Sequence, residues 1–331
     1  MIKPSGTLYR HLLADAWDAV RKNKALWILG FFVSFLGNGG VYELLIQGTG
    51  RLGLNGSFGR YFALGSLPGE GTVAQAMKNI GTGNLLPLLL AAVTALALAM
   101  LAAWVVVSAQ GGLIAGARGV EKGRKATFRS AFAAGNEVFG PLLLVNVLSR
   151  LAVMMFFYLL LALTVLYLAD ANIWSVLGYL AGFVTLIPLT LIIGFVTIYA
   201  ACYITLQRLP FVAAVESAIA LFRKYWLISL ETSLLLFGIN FLAAVGIGMT
   251  LTFAGIALVP FILGVSLLGS GLALAVVTGL AAATAVIFLA FVGSGLAAFQ
   301  YAVWVHLFTK LHQRGHDATP KLARWFGRLL K

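Results

Sequence analysis

The chain has 331 residues, of which 61% are hydrophobic and only 10% charged, and it carries a formal net charge of +13. Soluble domains average about 25% charged residues, so this composition excludes a water-soluble globular fold. Apolar residues arrive in runs of about 18 or more, long enough to cross a ~30 Å hydrocarbon core as helices.

Lipid offers no partner to backbone N–H and C=O groups, and the alternation of barrel strands is absent, so the expected fold is an all-α integral membrane protein. In chain order, the first 24 residues are too long and polar for a signal-peptide n-region, and the first span is read as uncleaved. Within them Tyr9, Leu13, Ala16, Trp17 and Val20 share one helical face, while Arg10, Asp18, Arg21 and Lys22 take others. Ala25 to Ile46 is a candidate span, interrupted by Gly37-Asn38-Gly39-Gly40. Gly48-Thr49-Gly50-Arg51-Leu52-Gly53 matches the dinucleotide pattern G-x-G-x-x-G, but it follows no strand and opens no βαβ unit, so it is set aside.

Leu85 to Ser108 contains no ionisable residue and is the clearest span. A second amphipathic stretch follows, with Phe128, Ala131, Phe132 and Phe139 at helical spacing, and leads into Pro141 to Leu168. Val176 to Ile204 is the next span; it holds Cys202, the sole cysteine, which excludes an intrachain disulfide. The third amphipathic stretch presents Phe211, Val215, Ala218, Ile219, Phe222 and Trp226 on one face. Between Glu231 and Lys310 only His306 is basic or acidic, a length that admits two to four spans.

Nineteen of the 23 Lys and Arg fall in four segments: 1 to 24, 117 to 140, 205 to 225 and 309 to 331. By the positive-inside rule these are cytoplasmic, so an even number of crossings joins each neighbouring pair. Six spans satisfy this most simply, with Val259 to Gly271 as an apolar outer-face or re-entrant segment; eight is the alternative. The chain then reads as one transmembrane domain over 1 to 331, with both termini cytoplasmic in a bacterial plasma (inner) membrane. Three repeated units of surface helix plus helical hairpin are expected over about 8 to 116, 127 to 206 and 210 to 310.

The run Gly111-Gly112-Leu113-Ile114-Ala115-Gly116-Ala117-Arg118, then Thr127-Phe128-Arg129-Ser130-Ala131-Phe132 and Gly135, carries a resemblance. It extends to the Lys22-Asn23-Lys24-Ala25-Leu26-Trp27 entry and to Phe211 through Trp226. The chain resembles bacterial multi-helix membrane proteins of unassigned activity, similar to the membrane domain associated with glycerophosphoryl diester phosphodiesterases. This chain contains no soluble phosphodiesterase domain, so the resemblance does not imply that activity.

Candidate chemistry centres on two charges. Counted from the entries at Pro141 and Trp226, Arg150 and Glu231 lie roughly 13 and 7 Å into the membrane at about 1.5 Å per residue. With Asn146 one turn from Arg150, and Asn240 further along the other helix, they form a candidate intramembrane polar site. The competing reading has Arg150 snorkelling and Glu231 at the interface, the two at most locking helices together.

In the tail, Thr319 caps a helix opening at Pro320, with Leu322, Trp325, Phe326, Leu329 and Leu330 on one face and Lys321, Arg324, Arg328 and Lys331 on the other. A basic amphipathic surface helix over 317 to 331 is expected, contacting membrane lipid through Lys321, Arg324, Trp325, Phe326, Arg328 and Lys331, with anionic lipid as the partner. A protein partner or a homo-oligomer is a further expectation, whereas no nucleic-acid module is recognised. His312 and His316 are four apart without a carboxylate cluster, so no metal and no cofactor is expected. No nucleophile, base and metal constellation is visible, which argues against an enzyme. A non-enzymatic component that binds lipid or supports a complex leads, and a small-molecule or lipid transporter using the Arg150 and Glu231 site is the alternative.

Overall fold

The computed structural model describes residues 6–34, 36, 85–170, 172–267, 269 and 271–314. Among these the elements are helices alone: α1 (Gly6–Lys22), α2 (Lys24–Val33), α3 (Leu85–Glu121), α4 (Phe128–Asn136), α5 (Phe139–Ala169), α6 (Ile173–Gln207), α7 (Phe211–Leu267) and α8 (Gly271–Arg314). Five of them, α3, α5, α6, α7 and α8, are long and apolar enough to cross a membrane. Of the first expected span, 25 to 46, only α2 and residues 34 and 36 are described.

Local chemistry sets the boundaries. Asn23 separates α1 from α2, its side-chain amide donating to the Ala19 carbonyl at 2.8 Å. Thr127 caps α4 by accepting from the Ser130 N–H, and Asn172 caps α6 by accepting from the N–H groups of Trp174 and Ser175. Helix α6 ends at Arg208, in the left-handed region at φ 58°, and its guanidinium pairs with Glu137 at 2.6 Å. Within α7, Tyr225 leaves helical geometry (φ −127°, ψ 30°) and kinks the segment 211–224 against the remainder of the helix.

The segment from Val259 to Gly271, expected at the outer face or as re-entrant, is helical as far as Leu267. Val259 to Leu267 continue α7 without a break, Pro260 included, and the turn to α8 comes at Gly269, with φ +65°. Proline removes one N–H, but ending a helix in lipid would strip several backbone groups of their partners, so the helix persists. The stretch 232–309 therefore holds parts of two helices rather than four.

The chain divides into two compact units. The first comprises Met1–Leu26, Val107–Leu235 and Tyr301–Lys331. Its core gathers Tyr9, Leu12, Ala16 and Val20 of α1, Leu113 and Ile114 of α3, Tyr199 to Ile204 of α6, and Val303, Leu307 and Phe308 of α8. Rings interlock there: Phe195 stacks on Phe222, and Trp304 meets Phe195 and Tyr199 edge-on. The buried face of α1 passes through Leu12 rather than Trp17, which is 51% exposed. Tyr9, Ala16 and Val20, expected on one apolar face, are covered by protein.

Small residues bring α3 and α4 together. A Cβ on Gly112 would meet the Ala131 carbonyl oxygen at 2.7 Å, and one on Gly135 would strike the Ser108 carbonyl and the Gly112 nitrogen. Backbone thus lies on backbone, the contact that glycine permits between helices where lipid supplies no hydrophobic drive.

The second unit comprises Trp27–Val106 and Leu236–Gln300. Here α2 packs on α8 through Gly30, which faces the Ser294 carbonyl, and Gly295, which faces the Trp27 ring. Ser294 donates to the Trp27 carbonyl at 3.0 Å, and Trp27 meets Phe291 with ring centroids 4.8 Å apart.

Candidate functional site

Burial changes abruptly along the long helices. On α3 no described side chain from Leu89 to Val106 is buried, whereas Val107 to Ile114 all are. On α5 burial ends at Asn146 and does not return before Ala169; on α6 it begins at Phe195, with nothing buried from Ile173 to Gly194. The packed ends carry the polar side chains and the unpacked ends are almost wholly apolar.

Within the first unit the buried polar groups meet in pairs and chains. Gln110 is fully buried; its amide nitrogen donates to the Tyr301 hydroxyl at 3.1 Å and its oxygen accepts from Asn146 at 2.7 Å. Asn146 also donates to the Leu142 carbonyl at 2.8 Å. The hydroxyls of Tyr199 and Ser229 lie 2.7 Å apart, and Ser229 donates to the Tyr225 carbonyl at 3.1 Å, which leaves it to accept from Tyr199. Glu231, 9% exposed, accepts from the Tyr9 hydroxyl. Satisfaction of this kind offsets the cost of burying such groups. Two buried hydroxyls, Ser108 Oγ and Thr205 Oγ1, have no hydrogen-bond partner among the described residues.

The sequence-derived candidates of the intramembrane polar site lie on α5 and α7. Asn146 and Glu231 are buried in the first unit, each with the partners just named. Arg150 is exposed, and no ion pair joins it to Glu231. Asn240 belongs to the second unit, where it accepts from Gln300 at 2.7 Å. Lys321, Arg324, Trp325, Phe326, Arg328 and Lys331, with the rest of the 317 to 331 tail, lie outside the described residues.

Sequence reasoning missed Gln110, Tyr301, Tyr199 and Ser229. Gln110 had a signal: it is the one side-chain amide between Leu85 and Gly119. The tyrosines gave none, because an aromatic ring in an apolar run reads equally as core or lipid-facing surface. On α1, Asp18 pairs with Lys22 at 2.9 Å, and that ammonium holds its carboxyl below the usual carboxylate range. Among the described residues no group of three or more His, Cys, Asp and Glu is placed to hold a metal ion.

These features define a polytopic membrane protein of all-α class. No family model, curated protein or solved structure matches the chain.

Proposed function

We propose that this chain is a non-enzymatic component of a bacterial plasma membrane that binds lipid or supports a partner complex. The observation that carries the reading is that the buried side-chain amides, Tyr199 and Glu231 of the first unit are spent on other side chains: Gln110 on Asn146 and Tyr301, Tyr199 on Ser229, Glu231 on Tyr9. Groups engaged this way hold helices in register and leave little hydrogen-bonding capacity for a transported solute. The apolar outer lengths of α3, α5 and α6 supply a lipid-facing surface. The basic segments 117 to 140 and 309 to 331 support a cytoplasmic placement of the termini, and the basic tail supports anionic lipid as the partner. The entries α1 to α2, α4 to α5, and 211–224 into the rest of α7 each pair a short amphipathic helix with an apolar one, which favours a threefold repeat.

The test compares the full chain with one lacking residues 317 to 331, both purified in mild detergent, for phosphatidylglycerol retained through delipidation. The reading expects a lower retention in the shortened chain, and equal retention discards the lipid role of the tail. A transporter is the second reading, favoured by the buried carboxylate of Glu231. It would be established by solute or lipid flux in proteoliposomes that Glu231→Gln abolishes.

A further inference from the structure

Arg150 stands at a transition. One turn before it, Asn146 is buried and hydrogen-bonded; after it no residue of α5 is buried. Its neighbours on the outside of the helix, Val147, Leu151 and Met154, are exposed apolar residues. No acidic or basic side chain follows until Asp170, at the turn into α6. Twenty steps at about 1.5 Å make roughly 30 Å, the thickness of a bilayer's hydrocarbon core. On α6 the unburied length from Ile173 to Gly194 is similar, roughly 33 Å.

The two ends of the uncharged length of α5 therefore carry opposite charges at a spacing that fits one membrane. No hydrogen bond or ion pair from the described residues reaches the Arg150 guanidinium. A lone cation set in a lipid-facing surface is costly unless it finds an anion, and the headgroup phosphate is the anion within reach of a side chain that can lean towards the Phe139 end. A guanidinium presents paired N–H donors that match phosphate oxygens.

We infer that Arg150 is a phospholipid-phosphate site at the edge of the hydrocarbon core, on the leaflet nearest Phe139. It is a boundary contact and not part of a site in the membrane interior. The packed polar ends of α5 and α6, with Gln110, Asn146 and Tyr301, then lie on the headgroup side of that edge. The inference rests on the lipid-binding reading above and names the headgroup chemistry at one residue.

Native mass spectrometry of the full chain in detergent tests it, with phosphatidylglycerol, phosphatidylcholine, diacylglycerol of the same acyl chains, and inorganic phosphate as probes. Wild type is expected to hold the first phospholipid about fivefold more tightly than Arg150→Gln, the size of one cation at an anionic surface. Arg150→Lys should recover part of the loss, and diacylglycerol retention should not respond to either substitution. Equal phospholipid retention by wild type and Arg150→Gln overturns the assignment while leaving lipid binding standing. Displacement of phospholipid by inorganic phosphate overturns it in favour of a free-anion site. Absence of any retained lipid, diacylglycerol included, overturns it together with the lipid-binding reading. Because the side chain is exposed, Arg150→Gln should elute and melt as wild type does, so a lost lipid reports the site.

Discussion

Replacing Gly135 with alanine sets two terms of opposite sign against each other. Alanine is the better helix former by about 1 kcal/mol, which alone would stabilise α4. The new methyl, however, would sit on the Ser108 carbonyl and the Gly112 nitrogen, with the Gly111 carbonyl carbon at 3.0 Å. All three are backbone atoms of α3 and cannot swing aside as a side-chain end would. Overpacking costs about 1 to 3 kcal/mol, and the rigid partner puts this site at or above the upper end, so a net loss of about 2 kcal/mol is expected. Gly140 is the control: among the described residues nothing lies within 4 Å of its added Cβ, so Gly140→Ala should be neutral or stabilise by up to about 1 kcal/mol. Cys202 is a built-in reporter, being the only cysteine and fully buried in the same unit. A thiol-reactive fluorogenic maleimide in detergent should therefore report unfolding. Gly135→Ala should melt below wild type and Gly140→Ala at or above it; the reverse order would refute backbone contact as the basis of this packing.

The polar chain gives a second expectation. Asn146→Leu removes the donor to Gln110 and should cost about 1 to 3 kcal/mol, whereas Gln110→Leu with Asn146→Leu should cost less than the sum of the single losses, read as melting in the same assay. Tyr9→Phe takes a hydroxyl donor from buried Glu231 and should cost about 1.5 to 3 kcal/mol, with the loss reduced in a Glu231→Gln background; a melting curve identical to wild type would contradict that bond. For Asp18, a folded-state pKa held below its unfolded one means that the Lys22 contact stabilises above the unfolded pKa and is lost as pH falls through the folded value. Carboxyl NMR titration should show the Asp18 midpoint rise in Lys22→Met, and an unmoved midpoint would rule out Lys22 as the cause.

Membrane class and most span positions were legible in the sequence because apolar length is a direct signal: 141 to 168 and 176 to 204 sit within α5 and α6. Burial was not legible: Leu142, Val145 and Asn146 are packed against protein while Leu144 and Leu151 are exposed, and an apolar residue facing core and one facing lipid look alike in composition. Of the apolar face read on α1, Tyr9, Ala16 and Val20 are buried and Trp17 is 51% exposed, a division that composition does not announce, since a tryptophan counts as apolar whether a bundle covers it or leaves it at the surface. Pro260 stays within α7, although proline is costly in soluble helices, where water can take over the freed groups. The pairing of Gln110 with Tyr301 joins residues 191 apart in sequence, and no local pattern announces it.

The most direct test of a chain threaded through lipid is a depth profile of α5. Nitroxides placed singly at the exposed positions Leu144, Leu151, Tyr158 and Val165 in bilayers would be read for relative access of oxygen and a water-soluble nickel chelate. Preference for oxygen should peak at Tyr158, the labelled position nearest the midpoint between Arg150 and Asp170, fall at Leu151 and Val165, and give way to the nickel chelate at Leu144. A nickel-accessible Tyr158, or a profile with no maximum between the two charges, would contradict it.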